Sequence, residues 1–83
     1  MTTEKHIQLV HYALFREARG RSSETVTTRA ATPRELFDDV GLGVGYPDPE
    51  SWVRVAVNDD FATWDRPLAD GDTVVFIAPT AGG

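Results

Sequence analysis

The chain has no cysteine, one lysine (Lys5), two histidines and no long apolar run, and each scarcity removes a class of function. Without cysteine there is no disulfide, no thiolate nucleophile and no thiolate-bound zinc, so any sulfur chemistry must use a group other than a side-chain thiol. No apolar stretch approaches the ~20 residues that cross a bilayer, so no membrane partner is expected. The first residues carry Glu4 and Lys5 and no apolar core of a signal peptide, so a cytoplasmic setting is expected. The two histidines, His6 and His11, fall on opposite faces of a strand pattern, which argues against a shared metal. No metal site is expected.

Eighty-three residues, 41% apolar and 25% charged, fit one soluble domain spanning 1–83. A chain this short buries only ~60 to 65% of the surface its unfolded form exposes, so its core must be compact. Charge is uneven: residues 1–34 carry six basic and three acidic side chains, 35–72 carry two basic and ten acidic, and 73–83 carry none. The acidic second half repels phosphate backbones, so no nucleic-acid partner is expected, and it suits either a basic protein partner or plain solubility.

His6 to Ala13 alternates Ile7, Leu9 and His11 with Gln8, Val10 and Tyr12, which predicts a first strand. Val10 and Tyr12 are apolar where a solvent face would be polar. They point to contact with a partner or the chain's own tail, or to an aromatic covering neighbouring strands. Leu14 to Arg19 reads as a short turn or helical piece closed by Gly20, and Glu24 to Ala30 as a second strand completing a hairpin. Thr32, Pro33 and Glu35 open a helix as N-cap, first residue and capping-box partner. This helix should run from Pro33 to about Val40, with Leu36, Phe37 and Val40 on its packed face, and Gly41 stops it. The glycines at 41, 43 and 45 suggest a phosphate loop, but the helix precedes them and no lysine is near, so 41–49 reads as a surface loop. Trp52 to Val57 predicts a third strand, Asn58 to Asp60 a turn, and Phe61 to Trp64 a short fourth strand. Leu68 should pin the loop that follows, and Thr73 to Ile77 is the last strand. That strand is apolar on both faces, Val74 and Phe76 against Val75 and Ile77, so it should lie centrally or meet a partner.

No serine or cysteine nucleophile pairs with a histidine, so no enzyme site is expected. The end of the chain offers either a reactive carboxyl group or an ordinary frayed terminus. Pro79 cannot donate to a sheet and stops the strand near Ala78. Thr80, Ala81, Gly82 and Gly83 then form an uncharged arm that could reach roughly 20 Å from Ala78. Lacking Cβ atoms, Gly82 and Gly83 could enter a narrow channel and place a terminal carboxylate beside a nucleotide.

These residues resemble the ubiquitin-like sulfur carriers of the β-grasp fold, and most closely the small subunit of molybdopterin synthase. The likeness rests on Ile7 to Glu17 and, more specifically, on Val55 to Asn58, Pro67-Leu68, Asp70 to Asp72 and Phe76 to Gly83. Together these blocks cover about half the chain, and Ala78 stands where the family usually has the first proline of a pair. The resemblance implies an α+β domain, a mixed curled sheet of four to five strands on one main helix, with 78–83 as a flexible reactive tail. It implies that Gly83 is adenylated by a ubiquitin-activating-like adenylyltransferase using ATP and Mg²⁺, none of it bound by this chain. Sulfur from a sulfurtransferase or persulfide donor would then give a thiocarboxylate. The molybdopterin synthase large subunit would use that sulfur, in a heterotetramer with this chain as non-catalytic subunit. Tyr12, Val75 and Ile77 are the expected partner interface. Two other readings use the same end: a modifier conjugated through Gly83 to lysines, or a sulfur carrier for thiamine or tRNA. A third is an interaction module with an inert tail.

Overall fold

The last strand is the middle of the sheet. In the computed structural model, which describes residues 3–43 and 48–78, five strands stand in the order β2-β1-β5-β3-β4. They are β1 (Lys5–Val10), β2 (Ser23–Thr28), β3 (Arg54–Val57), β4 (Asp60–Ala62) and β5 (Thr73–Ile77). β5 runs parallel to β1 and antiparallel to β3, and the outer pairs β1–β2 and β3–β4 are antiparallel. Its apolar character on both faces therefore follows from its central place. The fold is a small α+β domain of the β-grasp kind.

Two helices cover one side. α2 (Pro33–Asp39) starts as its sequence predicts: the Thr32 hydroxyl accepts from the Glu35 N–H at 3.3 Å, and Pro33 fills the first turn. The Glu35 carboxylate reaches back to the Ala31 N–H, 3.2 Å away, one residue before the cap. Leu36 and Phe37 are completely buried. Phe37 is the hub, meeting Phe15 at 5.8 Å, Trp64 at 5.4 Å and Phe76 at 4.9 Å in edge-to-face arrangements that aromatic quadrupoles favour. Phe15 belongs to α1 (Ala13–Arg19), which Gly20 closes at φ 73°. The core thus rests on two helices rather than one.

Several expected boundaries move. The first strand ends at Val10, its last ladder partner being Ser23, because α1 begins three residues later. The pairing with β2 is antiparallel as expected, and the short helical piece expected over Leu14 to Arg19 is α1, which starts one residue earlier at Ala13 and fills the connection between the two strands. β2 starts one residue earlier than expected and stops at Thr28, β3 begins at Arg54, and β4 covers Asp60–Ala62. The 41–49 segment is not wholly superficial. Leu42 is 4% exposed within the core, and a Cβ on Gly43 would come within 3.3 Å of the Phe37 ring. Residues 44–47 lie outside the described residues.

The β3–β4 turn is sewn to the start of β5. Asn58 and Asp59 take φ of 52° and 72°, the left-handed pair that two-residue hairpin turns require. The Asn58 amide donates to Asp72 and its carbonyl accepts from the Thr73 N–H, both at 2.9 Å. The register of the central strand and of the hairpin beside it is fixed together.

Candidate functional site

Ladder register decides what the uncovered side of the sheet shows. Val57, Val55 and Val53 turn inward with Val74 and Phe76, each 3% exposed or less, so the alternate residues must face away. Val10 pairs with Val75, Val75 with Ala56, and Ala56 with Phe61, a row of apolar side chains across four strands. Next to this row Ile77 stands opposite Arg54. Tyr12, in extended conformation just past β1, adds its ring at 58% exposure, and Phe61 stands out at 75%.

Tyr12, Val75 and Ile77, the three residues expected at an interface, line one shallow groove of about 240 Å³ together with Ala56, Phe61 and Asp59. Phe61 is the residue that sequence reasoning missed. Its signal was available: Val55 and Val57 turn inward, so Ala56 and the residue opposite it across the turn must turn out. Two larger clefts, of about 550 and 590 Å³, lie by Trp52 and Trp64 on the helix side and the β4 edge. Phe61 also borders the first of these, so it forms the ridge between the groove and that cleft.

Ala78, expected as the first residue of the tail, is half-buried against the core. The remaining expected tail residues, Pro79, Thr80, Ala81, Gly82 and Gly83, lie outside the described residues. Five residues extend at most roughly 17 Å. The last described residue follows directly on Ile77, so the chain leaves the sheet at the Tyr12–Ile77 end of the groove.

The histidines are far apart in role. His6 bonds Asp70 at 3.3 Å in the open, where the His6 backbone N–H, at 2.6 Å, chiefly holds the Asp70 carboxyl below its ordinary range. His11 is 2% exposed and its Nε2 lies 2.8 Å from Glu24. Arg19 grips the same carboxylate through two bonds of 2.7 Å and donates to the Val40 carbonyl at 2.8 Å. The arginine bonds, with a smaller contribution from His11, hold the Glu24 carboxyl down to about 2 against the opposing effect of burial. Among the described residues no group of three metal-binding side chains comes together, and no helix is long and apolar enough to cross a membrane.

A central parallel pair, antiparallel edges and helices on one face define a ubiquitin-like β-grasp protein. Residues 11–83 match the model of the ThiS family, and the chain belongs to that family of ubiquitin-like sulfur carriers. No curated protein matches it. Among solved structures it is similar to a putative molybdopterin converting factor, subunit 1, from Pyrococcus furiosus. Identity there is 26%, with 92% of this chain and 99% of that one covered and a TM-score of 0.71. It is similar also to a chain of the Amycolatopsis orientalis BexX/CysO complex, at 25% identity, 93% and 99% coverage and a TM-score of 0.68. Small archaeal modifier protein 1 of Haloferax volcanii shares the fold at 22% identity, 92% and 99% coverage and a TM-score of 0.70.

Proposed function

We propose that this chain carries sulfur on its Gly83 carboxyl group for the formation of molybdopterin. The observation that carries the reading is the apolar groove at the end of β5, the strand that Gly82-Gly83 follow in the sequence. A partner can hold the domain there while the arm, at most roughly 17 Å long, reaches a reacting centre. The two-glycine end suits a channel too narrow for side chains. Similarity to a putative molybdopterin converting factor subunit supports the pathway, and similarity to a chain solved in a complex supports work in partnership.

A carboxylate is a poor electrophile, so it must first be activated. Attack of a Gly83 carboxylate oxygen on the α-phosphorus of Mg²⁺-bound ATP displaces pyrophosphate and leaves an acyl-adenylate. ATP and Mg²⁺ belong to the adenylyltransferase. The terminal sulfur of a donor persulfide then attacks the acyl carbon and displaces AMP. A thiol cleaves the resulting acyl disulfide, releasing the thiocarboxylate and becoming a disulfide with the donor sulfur. The large synthase subunit would transfer this sulfur to a pterin precursor, with the present chain contributing no side chain to the chemistry. The test is ATP–pyrophosphate exchange by the cognate adenylyltransferase. Full-length chain should support exchange, and a chain lacking Gly83 should not, while keeping its unfolding temperature. Equal exchange by the truncated chain would sink the proposal.

A further inference from the structure

The residue that offers its ring to the groove stands in an improbable piece of backbone. Tyr12 is extended, with φ −127° and ψ 152°, and Ala13 directly after it has φ 46°, a left-handed conformation that side-chain-bearing residues avoid. Such a conformation persists only where its surroundings over-determine it. Tyr12 makes no side-chain cap for α1, although its carbonyl accepts from the N–H groups of Phe15 and Arg16, at 3.1 and 3.4 Å. Its ring is 58% exposed, so ring packing holds it little.

The buried carboxylate of Glu24 bonds residues on both sides of this segment. Before Tyr12 in the chain, His11 is fixed by its ring bond to Glu24 and by its N–H bond of 2.7 Å to the Ser22 carbonyl. At the far end of α1, Arg19 is fixed by its forked bonds to the same carboxylate and by the Val40 carbonyl at the end of α2. One acid therefore ties both ends of the segment that carries Tyr12 and anchors them to β2 and α2. The side chain of Glu24 is 8% exposed, so water competes little for these bonds.

We propose that Glu24 is a positioning residue for partner docking, holding Tyr12 in the groove by clamping His11 and Arg19 across α1. The proposal rests on the docking reading given above. It adds a determinant that lies on the opposite, helix side of the sheet and touches no partner. In the unclamped chain, Ala13 would relax from its left-handed conformation and Tyr12 would sample other positions, so part of the binding free energy would be used to restore it.

Glu24→Gln keeps the size of the side chain and removes its charge, and two measurements then separate a clamp from simple stabilisation. In the free chain, amide exchange followed by nuclear magnetic resonance should quicken by about tenfold or more at Phe15 and Arg16, whose N–H groups bond Tyr12, while Val74 and Phe76 in β5 stay protected. Affinity for the cognate adenylyltransferase should weaken by about tenfold, and by less than about twofold when Glu24→Gln is added to Tyr12→Ala, since coupled residues are non-additive. Where Glu24→Gln fails to fold, Arg19→Lys is read in the same way, because lysine keeps the charge but cannot fork onto a carboxylate. Exchange that rises evenly along the chain, or an affinity loss equal in both backgrounds, would overturn the clamp. Normal binding by Glu24→Gln beside weak binding by Tyr12→Ala would overturn the clamp alone. Normal binding by Tyr12→Ala would overturn the docking reading itself.

Discussion

Replacing Phe61 by serine separates docking from folding, because this ring is the most exposed large apolar group in the groove. A phenylalanine side chain presents at least ~150 to 200 Å² for burial, and at 75% exposure about 130 Å² of Phe61 remains to be covered by a partner. At ~25 cal/mol per Å² the upper bound is about 3 kcal/mol. Incomplete coverage and the cost of ordering the ring reduce this to about 2 kcal/mol, the size expected of a central aromatic anchor. The dissociation constant for the adenylyltransferase should therefore rise by about 30-fold. The fold should lose no more than about 1 kcal/mol, the span of strand propensity, and the unfolding temperature about 4 to 8 °C. Titration calorimetry and thermal unfolding of the same protein give both numbers. Phe37→Ala is the contrast: it deletes a wholly buried hub and should cost about 3 to 5 kcal/mol, leaving little folded protein. Unaltered affinity of Phe61→Ser for both the adenylyltransferase and the large synthase subunit would refute the reasoning.

Ile77→Asp, a charge at the root of the tail, should weaken both complexes by about 2 kcal/mol while the domain stays folded; wholesale unfolding would place Ile77 in the core instead. The acidic stretch, with Asp59 at the groove, should make association with the adenylyltransferase slow as salt rises beyond ~0.15 M, where charges act over only ~8 Å, and a salt-independent on-rate would contradict this. Glu24, held down from 4.5 to about 2 by Arg19 and His11, contributes stability that is complete above pH 4.5 and is lost as pH falls toward 2. The unfolding free energy from urea titrations should drop over that window, by about 3 kcal/mol from this group, and Glu24→Gln should flatten the slope. An equal slope in both proteins would deny Glu24 that role.

The parts of this fold that were legible in the sequence are those governed by neighbours in the chain. Thr32, Pro33 and Glu35 announce the start of α2 because capping is settled within four residues, and Thr73–Ile77 reads as a central strand because both its faces are apolar. Alternation misled at the end of β1: Tyr12 keeps the extended backbone and the apolar character of the row although its ladder stops at Val10. Leu42 looked like loop because nothing local says that its partner is the core around Phe37. The groove was half legible. Strand parity put Tyr12 with Val10 and Ile77 with Val75, and the family resemblance made the two strands neighbours, while Phe61 needed the register across the Asn58-Asp59 turn. The His11–Glu24–Arg19 cluster was not legible at all, since its members come from the residue just after β1, from β2 and from α1, and meet only through tertiary packing.

The central claim is that sulfur rides on the terminal carboxyl group, and intact-mass spectrometry tests it most directly. The full chain would be incubated with its adenylyltransferase, Mg²⁺-ATP, a persulfide donor and a reducing thiol, then weighed beside the chain lacking Gly83. The account predicts a species heavier by the difference between one sulfur and one oxygen, located by fragmentation to Gly83 and absent from the truncated chain. A chain that is adenylated yet never gains that mass, and appears instead joined through Gly83 to lysines of other proteins, would contradict it.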